Sequence, residues 1–292
     1  MIDSFFKFAL QPLLVTGALT IWYFNQTSPV GYPITVVTIL VILGVAEHWW
    51  PRRRDWIQHW QERARNITIA VIVTFVAVFV VMFYDQAMRE PLATLRTSLG
   101  LDIWPHHWPV LVQVFMVFFA KEFIWYWVHR SQHRSQHRWA PVWRASGHGA
   151  HHSFKRLAAI NAGVDHPIEL FFIVLAAALV EFFFGVGIAV AGAAILSVTL
   201  ATIAHINLDM NTRVIGWFFT TPRYHIHHHS QILEESNTNY VCSAIIWDRL
   251  FGTFRDADTA ETGTGPTEPT LWRKFIMPVR EAEDTAIAPQ SS

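Results

Sequence analysis

Histidines are concentrated in one part of the chain, at spacings that suit metal binding. Twelve of the sixteen histidines lie between residues 129 and 229. His129 and His133 are four residues apart, so a helix would place both imidazoles on one face. The pattern His-x2-His-His occurs twice, as His148, His151 and His152 and as His225, His228 and His229. Crowded imidazoles buried without partners would each cost about 1–3 kcal/mol, so we interpret these clusters as metal ligands.

His205 is a further candidate ligand and brings the number of candidates to nine. Nine imidazoles are enough for two ions of coordination number four to six, with positions left open for O2 or water. The segment Arg130–Arg138 repeats Arg-Ser-Gln-His, which makes His137 a rival of His133 for one ligand position. His166 is also a possible ligand. Four isolated histidines are interpreted as ordinary surface or core residues: His48, His59, His106 and His107.

The ligand types leave the identity of the metal open, because imidazole suits zinc, copper, iron and nickel alike. The single cysteine, Cys242, excludes a disulfide within the chain, a cysteine-based zinc knuckle and a four-cysteine iron–sulfur cluster. Four carboxylates lie between residues 129 and 229, namely Asp165, Glu169, Glu181 and Asp209. So few carboxylates exclude a soluble, carboxylate-bridged di-iron bundle with Glu-x-x-His motifs.

Anionic groups are expected beside such a cationic site, because ring N–H groups of metal-bound histidines usually donate to carboxylates or carbonyls. Within reach along the sequence are Asp165, Glu169, Asp209 and Asp248. Glu122 lies in an apolar segment, seven residues before His129 and on the same helical face. It therefore either lines a substrate cavity or pairs with Lys121. The residues that we predict to support catalysis are Glu122, Asp165, Asp209 and Asp248.

Composition and hydropathy indicate a polytopic membrane protein. Of the 292 residues, 52% are hydrophobic and only 15% charged, whereas soluble domains carry about 25% charged residues. Four apolar stretches approach the roughly 20 residues that a membrane helix needs: Phe8–Phe24, Tyr32–Ala46, Ile67–Tyr84 and Val110–Val128. A longer stretch, Ile168–Ala204, contains Gly185 and Gly187 near its middle and predicts a helical hairpin.

Basic residues are distributed unequally over the two sides of this arrangement. Nineteen fall on one side and two, Arg89 and Arg96, on the other, with Lys121 inside a segment. The positive-inside rule makes the first side cytoplasmic, and the histidine clusters lie on it. We therefore predict an all-α fold with about four single-pass helices, a helical hairpin and a cytoplasmic histidine-rich cap. The formal net charge is zero and gives no indication of nucleic-acid binding.

The chain is predicted to divide at residue 255. Residues 1–255 would form the membrane domain, with its catalytic core at 122–254. Residues 256–270 are rich in Thr, Gly, Glu and Pro, so residues 256–292 are predicted to be a flexible linker and C-terminal tail. Leu271–Val279 is a candidate interfacial segment. The first apolar segment lacks a small-residue cleavage signal and is predicted to remain as a membrane helix.

Several motifs follow one another in a specific order: Trp127-Val-His-Arg with His133, His148-x2-His-His-Ser, Thr221-Pro-Arg-Tyr-His-x2-His-His-Ser and Trp247-Asp-Arg-Leu-Phe-Gly-Thr-Phe254. From about Glu122 to Phe254 the chain therefore resembles the fatty acid hydroxylase and sterol desaturase superfamily of membrane di-iron enzymes. The register of Trp127-Val-His-Arg favours His133 over His137. The chain departs from the family pattern in a longer gap between His133 and His148.

The resemblance implies two iron ions held by histidine, O2 as the oxidant and a separate electron-donor protein of ferredoxin or cytochrome type. The predicted activity is hydroxylation of an unactivated C–H bond in a lipid-like substrate, such as a fatty acyl chain or a sterol. Desaturation is the alternative within the same class. A histidine-rich membrane metal-binding or transport protein is the alternative from another class, but it predicts ligands within the membrane spans, whereas nearly all these histidines flank them.

Overall fold

The computed structural model describes residues 2–28, 30–101, 103–138, 145–210 and 214–277, with the backbone alone from 134 to 138. In these ranges the regular elements are helical, apart from one isolated bridge between Ser230 and Thr262. The α-helices with defined bounds are α1 Ile2–Phe8, α2 Leu10–Asn25, α3 Gly31–Trp49, α4 Trp60–Phe83, α5 Arg89–Ser98, α6 Val110–Arg138, α7 His148–His152, α8 Glu169–Phe184, α9 Ala189–His205, α10 Pro222–His228, α11 Leu233–Ser236, α12 Ile246–Leu250 and α13 Leu271–Ile276. The predicted all-α fold is confirmed.

Three helical segments are long and apolar enough to cross a membrane: Gly31–Trp49, Trp60–Ser98 and Val110–His133. A fourth span is formed if α1 and α2, which meet at a bend of 57°, are counted together. On α4 the side chains of Phe75 and Phe79 are 65% and 67% exposed, as expected of a surface that faces lipid. The protein is therefore a membrane protein, as its composition predicted.

The predicted hairpin is present as α8 and α9. Gly185 and Gly187 lie between the two helices with φ values of +63° and +62°, a left-handed conformation that side chains with a Cβ rarely adopt. Apolar side chains alone would extend a helix through this stretch, so the glycines determine where the chain turns. At Gly185 a Cβ would also come within 2.8 Å of the Arg96 guanidinium carbon.

Helix α9 is the central element of the bundle. It packs against α2, α3 and α6 and against a short 3-10 helix at Ala159–Gly163. Leu196, Leu200 and Ile203 on this helix are completely buried. Its last residue, His205, comes to the same end of the bundle as α7 and α10. The fold thereby brings histidines from distant parts of the sequence together.

The chain after residue 255 lies against this end of the bundle as far as Met277. Arg65 and Glu268 form an ion pair at 2.9 Å, and the Gly263 amide donates to the His229 carbonyl at 3.2 Å. The Lys155 ammonium donates to the Gly265 carbonyl at 2.7 Å. The predicted domain boundary at residue 255 stays a prediction, and residues 278–292 lie outside the described residues.

Candidate metal centre

All nine predicted ligands lie close together, and none is more than 7% exposed. They form two groups in which the possible ligand atoms lie within 4.8 Å of one another. The larger group contains five rings: His129, His133, His148, His152 and His228. The smaller group contains four: His151, His205, His225 and His229. Each His-x2-His-His triplet contributes to both groups, so the two groups are built as one unit.

The ring nitrogens of the larger group converge on a common point. The Nε2 atom of His148 lies 2.7 Å from that of His129 and 3.1 Å from that of His133. The Nε2 atom of His152 lies 3.1 Å from that of His133. With metal–nitrogen bonds of about 2.1 Å, donors at right angles around one ion stand about 3 Å apart. The spacing therefore fits a single ion bound by several imidazoles.

The smaller group has the same spacing. The Nε2 atom of His205 lies 3.1 Å from that of His151 and 3.0 Å from that of His225. The Nε2 atoms of His225 and His229 are 3.1 Å apart, as the i and i+4 positions at the end of α10 allow. Four nitrogens in such an arrangement can bind a second ion and leave positions open.

One carboxylate stands behind each group. His148 Nδ1 lies 2.5 Å from Glu169 Oε1, and His151 Nδ1 lies 3.0 Å from Asp165 Oδ1. Gln132 donates to the same Glu169 oxygen at 3.4 Å. A carboxylate at Nδ1 keeps the proton on that nitrogen and directs the Nε2 lone pair inward. The predicted role of Asp165 beside the clusters agrees with this contact.

Backbone carbonyls accept from Nδ1 of three further rings and so also direct the Nε2 lone pairs inward. The carbonyl acceptors are Tyr240 for His129, Thr238 for His228 at 2.7 Å and Ala201 for His205 at 2.7 Å, each at Nδ1. The Nε2 lone pairs of His129 and His148, and those of His151 and His205, then face each other without a proton between them. Such an arrangement is repulsive unless a cation lies between the nitrogens. The residues present therefore fit the metal ions that the sequence predicted.

Burial keeps five of these imidazoles in the neutral form that binds metal. It lowers the pKa of His148, His152, His225 and His229 well below the ordinary histidine value, and the neighbouring rings lower it further. The pKa of His228 falls to about 3 for the same main reason, burial. Metal ligands must be deprotonated, so no proton has to be displaced from these side chains at neutral pH.

Asp248 is fully buried on α12 but contacts no ring of either group among the described residues. Its carboxylate accepts the Tyr240 amide at 2.8 Å, the Val241 amide at 2.9 Å and the Thr253 hydroxyl at 2.7 Å. Burial raises its pKa to about 6. Asp248 thus fixes the segment whose Tyr240 carbonyl faces His129, and it acts on the site through the backbone.

The other predicted residues lie elsewhere. Asp209 is exposed and forms an ion pair with Lys7 at 2.8 Å, so the structure does not bring it to either group. His166 uses both ring nitrogens, since Nε2 lies 3.0 Å from the Phe275 carbonyl and Nδ1 accepts the Ile168 amide at 3.1 Å. Glu122 pairs with Lys121. The side chain of His137 lies outside the described residues.

Sequence reasoning missed Gln132 and the carbonyl acceptors at the site. Gln132 directly precedes His133 on α6 and is 2% exposed, but glutamine is rarely a ligand of a histidine-rich metal site and no motif selected it. Carbonyl groups occur at every residue, so no residue type could indicate Tyr240 or Thr238. Only the three-dimensional arrangement identifies them.

A family model for fatty acid hydroxylases matches residues 114–253. The ornithine lipid hydroxylase OlsE of Rhizobium tropici is 30% identical over 256 residues, which cover 85% of this chain and 75% of that protein. The chain belongs to the fatty acid hydroxylase family. As a fatty acid hydroxylase family member, it is an oxidoreductase, as its motifs predicted.

Two further relatives match this fatty acid hydroxylase family member over shorter regions. Alkylglycerol monooxygenase of Xenopus tropicalis is 28% identical over 144 residues, 48% of this chain and 30% of that protein. Very-long-chain aldehyde decarbonylase GL1-11 of Oryza sativa subsp. indica is 28% identical over 179 residues, 57% of this chain and 60% of that protein. No solved structure gives a significant match. The names of the relatives support lipid hydroxylation in general.

Proposed function

We propose that this protein is an O2-dependent hydroxylase that holds two iron ions and oxidises an unactivated C–H bond of a membrane lipid. The observation that carries the proposal is the convergence of nine buried imidazoles in two groups, within a family of lipid hydroxylases and monooxygenases. The nitrogen-rich ligand set suits iron, among other metals. The location of the groups on the cytoplasmic face, inferred from the distribution of basic residues, is part of the proposal.

Iron bound by these histidines would supply the electrons and the binding positions with which O2 is reduced and a C–H bond is attacked. Overall, one C–H bond, one O2, two electrons and two protons give one alcohol and one water. Glu169 and Asp165 hold His148 and His151 in the ligating orientation. The bundle keeps the nine rings almost free of solvent, which protects a strong oxidant from side reactions.

Electrons are proposed to come from a separate protein. The sequence contains neither a cytochrome b5 type haem motif nor a Rossmann glycine fingerprint, and its single cysteine is too few for an iron–sulfur cluster. The substrate is proposed to be a polar membrane lipid. Because one relative is named an ornithine lipid hydroxylase, lipids of that class are the first to test.

The proposal is tested by expression in a bacterial host, with lipid mass spectrometry and metal analysis of the purified protein. We expect about two irons per chain and a lipid that gains one oxygen atom. His148→Ala should abolish the product and lower the metal content, whereas His227→Ala should keep both, because His227 belongs to neither group. A lipid that only loses two hydrogens would indicate the desaturase. Active protein with one metal or none would refute the two-iron centre.

A further inference from the structure

An ion pair lies inside the α6 membrane segment, separate from the metal centre. Lys121 Nζ is 2.6 Å from Glu122 Oε1, and the two side chains are 11% and 1% exposed. Charged side chains within membrane segments are costly and are usually retained for a function. Neither residue belongs to the two histidine groups. The pair therefore needs an explanation of its own.

Three separate segments surround the Glu122 carboxylate. Ser197 on α9 donates to Glu122 Oε1 at 2.8 Å, and Ser243 donates to the Ser197 carbonyl at 3.2 Å. The same segment includes Cys242, and the pKa of its thiol is raised to about 12, by burial first and by the Glu122 carboxylate next. The three segments are thus α6, α9 and Tyr240–Ala244, and together they hold the carboxylate in one position.

The second carboxylate oxygen of Glu122, Oε2, is buried and has no hydrogen-bond partner among the described residues. Both Lys121 and Ser197 contact Oε1 instead. An ionised carboxylate can accept several hydrogen bonds, and a buried acceptor left without one is unfavourable. The pair carries no net charge, so the free oxygen suits a neutral donor better than a cationic group. A hydroxyl or an amide N–H meets this requirement.

The position of Glu122 relates it to the metal centre. It lies seven residues before His129 on α6, which is about 10 Å along the axis and on the same face. The segment that contains Cys242 and Ser243 begins at Tyr240, whose carbonyl faces His129 Nδ1. A lipid that entered along this face would meet both Glu122 and the histidines.

We propose that Glu122 Oε2 accepts a hydrogen bond from a hydroxyl or amide N–H of the lipid substrate, so that the Lys121–Glu122 pair selects lipids with such a donor. The proposal rests on the proposed function and names the class of lipid that the same site takes. The hydrogen bond would fix the position of the lipid along α6 and thereby determine which carbon lies at the histidines. Glu122 is in this view a specificity-determining residue.

The test measures lipid binding to the purified, metal-loaded protein in detergent. Two probes carry a donor, 1-O-hexadecylglycerol as the hydroxyl arm and N-methylhexadecanamide as the amide arm. Their capped counterparts are 2,3-di-O-methyl-1-O-hexadecylglycerol and N,N-dimethylhexadecanamide. Dissociation constants are obtained by isothermal titration calorimetry. We expect at least one donor probe to bind about tenfold or more tightly than its capped counterpart.

The decisive variant is K121M/E122L, which removes both charges together, since a lone buried lysine would destabilise the protein. The expected result is a donor preference reduced to about one, with unchanged metal content. Thr199→Val is the matched control, because Thr199 is on the same helix as Ser197 and its buried hydroxyl has no hydrogen-bond partner among the described residues. Thr199→Val should keep the preference.

Equal binding of donor and capped probes by the wild type, or no binding of any probe, would overturn the inference. A preference that persists in K121M/E122L would overturn it too. A different result would refute the proposed function alone: donor probes bind with the expected preference, but no lipid gains oxygen. Loss of the preference in the variant while the wild type still oxidises lipid supports both proposals.

Discussion

Four imidazoles occur within the five residues from His225 to His229, and the helix decides which of them can share a metal ion. His225 and His229 are four positions apart and enter the smaller group, while His228 points to the larger one. His227 faces the tail, where its Nδ1 lies 3.3 Å from the Asp258 carbonyl and 3.8 Å from Glu235. A one-residue change in register would therefore exchange ligands for bystanders.

Glu169 should control metal affinity through His148. In Glu169→Gln the amide still reaches Nδ1 but carries no charge, so we expect the affinity for metal to fall about tenfold or more. Titration of the metal-free protein with Fe²⁺, followed by metal analysis, measures the effect. Glu181→Gln on the same helix is the control. The Glu181 carboxylate accepts the Gly187 amide at 2.9 Å, and it contacts neither histidine group among the described residues. Unchanged affinity in Glu169→Gln would show that geometry alone orients His148.

Acid should release the metal and destabilise the fold. The pKa of His228 is about 3 in the folded protein and about 6.5 in the unfolded chain. Between these values the unfolded chain binds more protons, so the free energy of unfolding decreases as the pH falls below about 6.5. Metal content and the thermal midpoint, measured from about pH 7.5 down to pH 5, should fall together. A midpoint that rises on acidification would contradict the buried, neutral state.

Among the elements, α9 depends on close contact with α2 and α6. Gly192 allows this approach, because a Cβ at this position would lie 2.5 Å from Val114 Cγ2 and 2.7 Å from the Trp22 ring. His205 ends the same helix, so its position relative to α6 depends on this packing. A small residue in the middle of the membrane bundle thus influences the distance between ligands at its end.

We expect Gly192→Ala to lower the stability by about 1–3 kcal/mol, because the added methyl group overpacks the contact between helices. Thermal unfolding in detergent measures this, and metal content reports on His205. Gly17→Ala on α2 is the matched control, since a Cβ there meets nothing within 4 Å and alanine favours helix. If both variants unfold at the wild-type temperature, the two helices have room to separate.

Most elements could be predicted from the sequence, but the division of the ligands could not. Hydropathy located the spans, and Gly185 and Gly187 located the hairpin turn. Eight of the nine histidines that the structure gathers were selected by their spacing, and His205 was added as a single further candidate. Their separation into one group of five histidines and one of four depends on how α7 and α10 pack near α6 and α9. Such packing joins segments that are distant in the sequence, so no local pattern predicts it. The ion pair of Asp209 with Lys7 was equally unpredictable, because it links residues 202 positions apart.

At the scale of the whole molecule, the metal centre lies at one end of a helix bundle whose side faces lipid. Exposed apolar residues such as Phe75, Phe79 and Phe24 cover that side. Under the proposed function, the substrate would enter from the bilayer and the electron-donor protein would approach from water. Which aqueous side this is remains the prediction made from the basic residues.

Cysteine labelling tests the predicted side in a Cys242→Ser background. Arg54 and Arg89 are both exposed and fall on opposite sides of the predicted arrangement. In intact cells a membrane-impermeant maleimide should label Arg89→Cys but not Arg54→Cys, and both should react after permeabilisation. Labelling of Arg54→Cys in intact cells would place the histidines on the opposite side of the membrane.

The tail contacts described above have a consequence for biosynthesis. The Gly263 amide donates to the His229 carbonyl, and the neighbouring residues Ser230 and Thr262 form a β-bridge. The Phe275 carbonyl contacts His166 Nε2. These residues leave the ribosome after all the histidine motifs have been translated and the membrane helices have been inserted. These contacts thus form only at the end of synthesis. Under the proposed function, we expect stable retention of the metal ions to follow this last step, so that a cell can time it independently of membrane insertion.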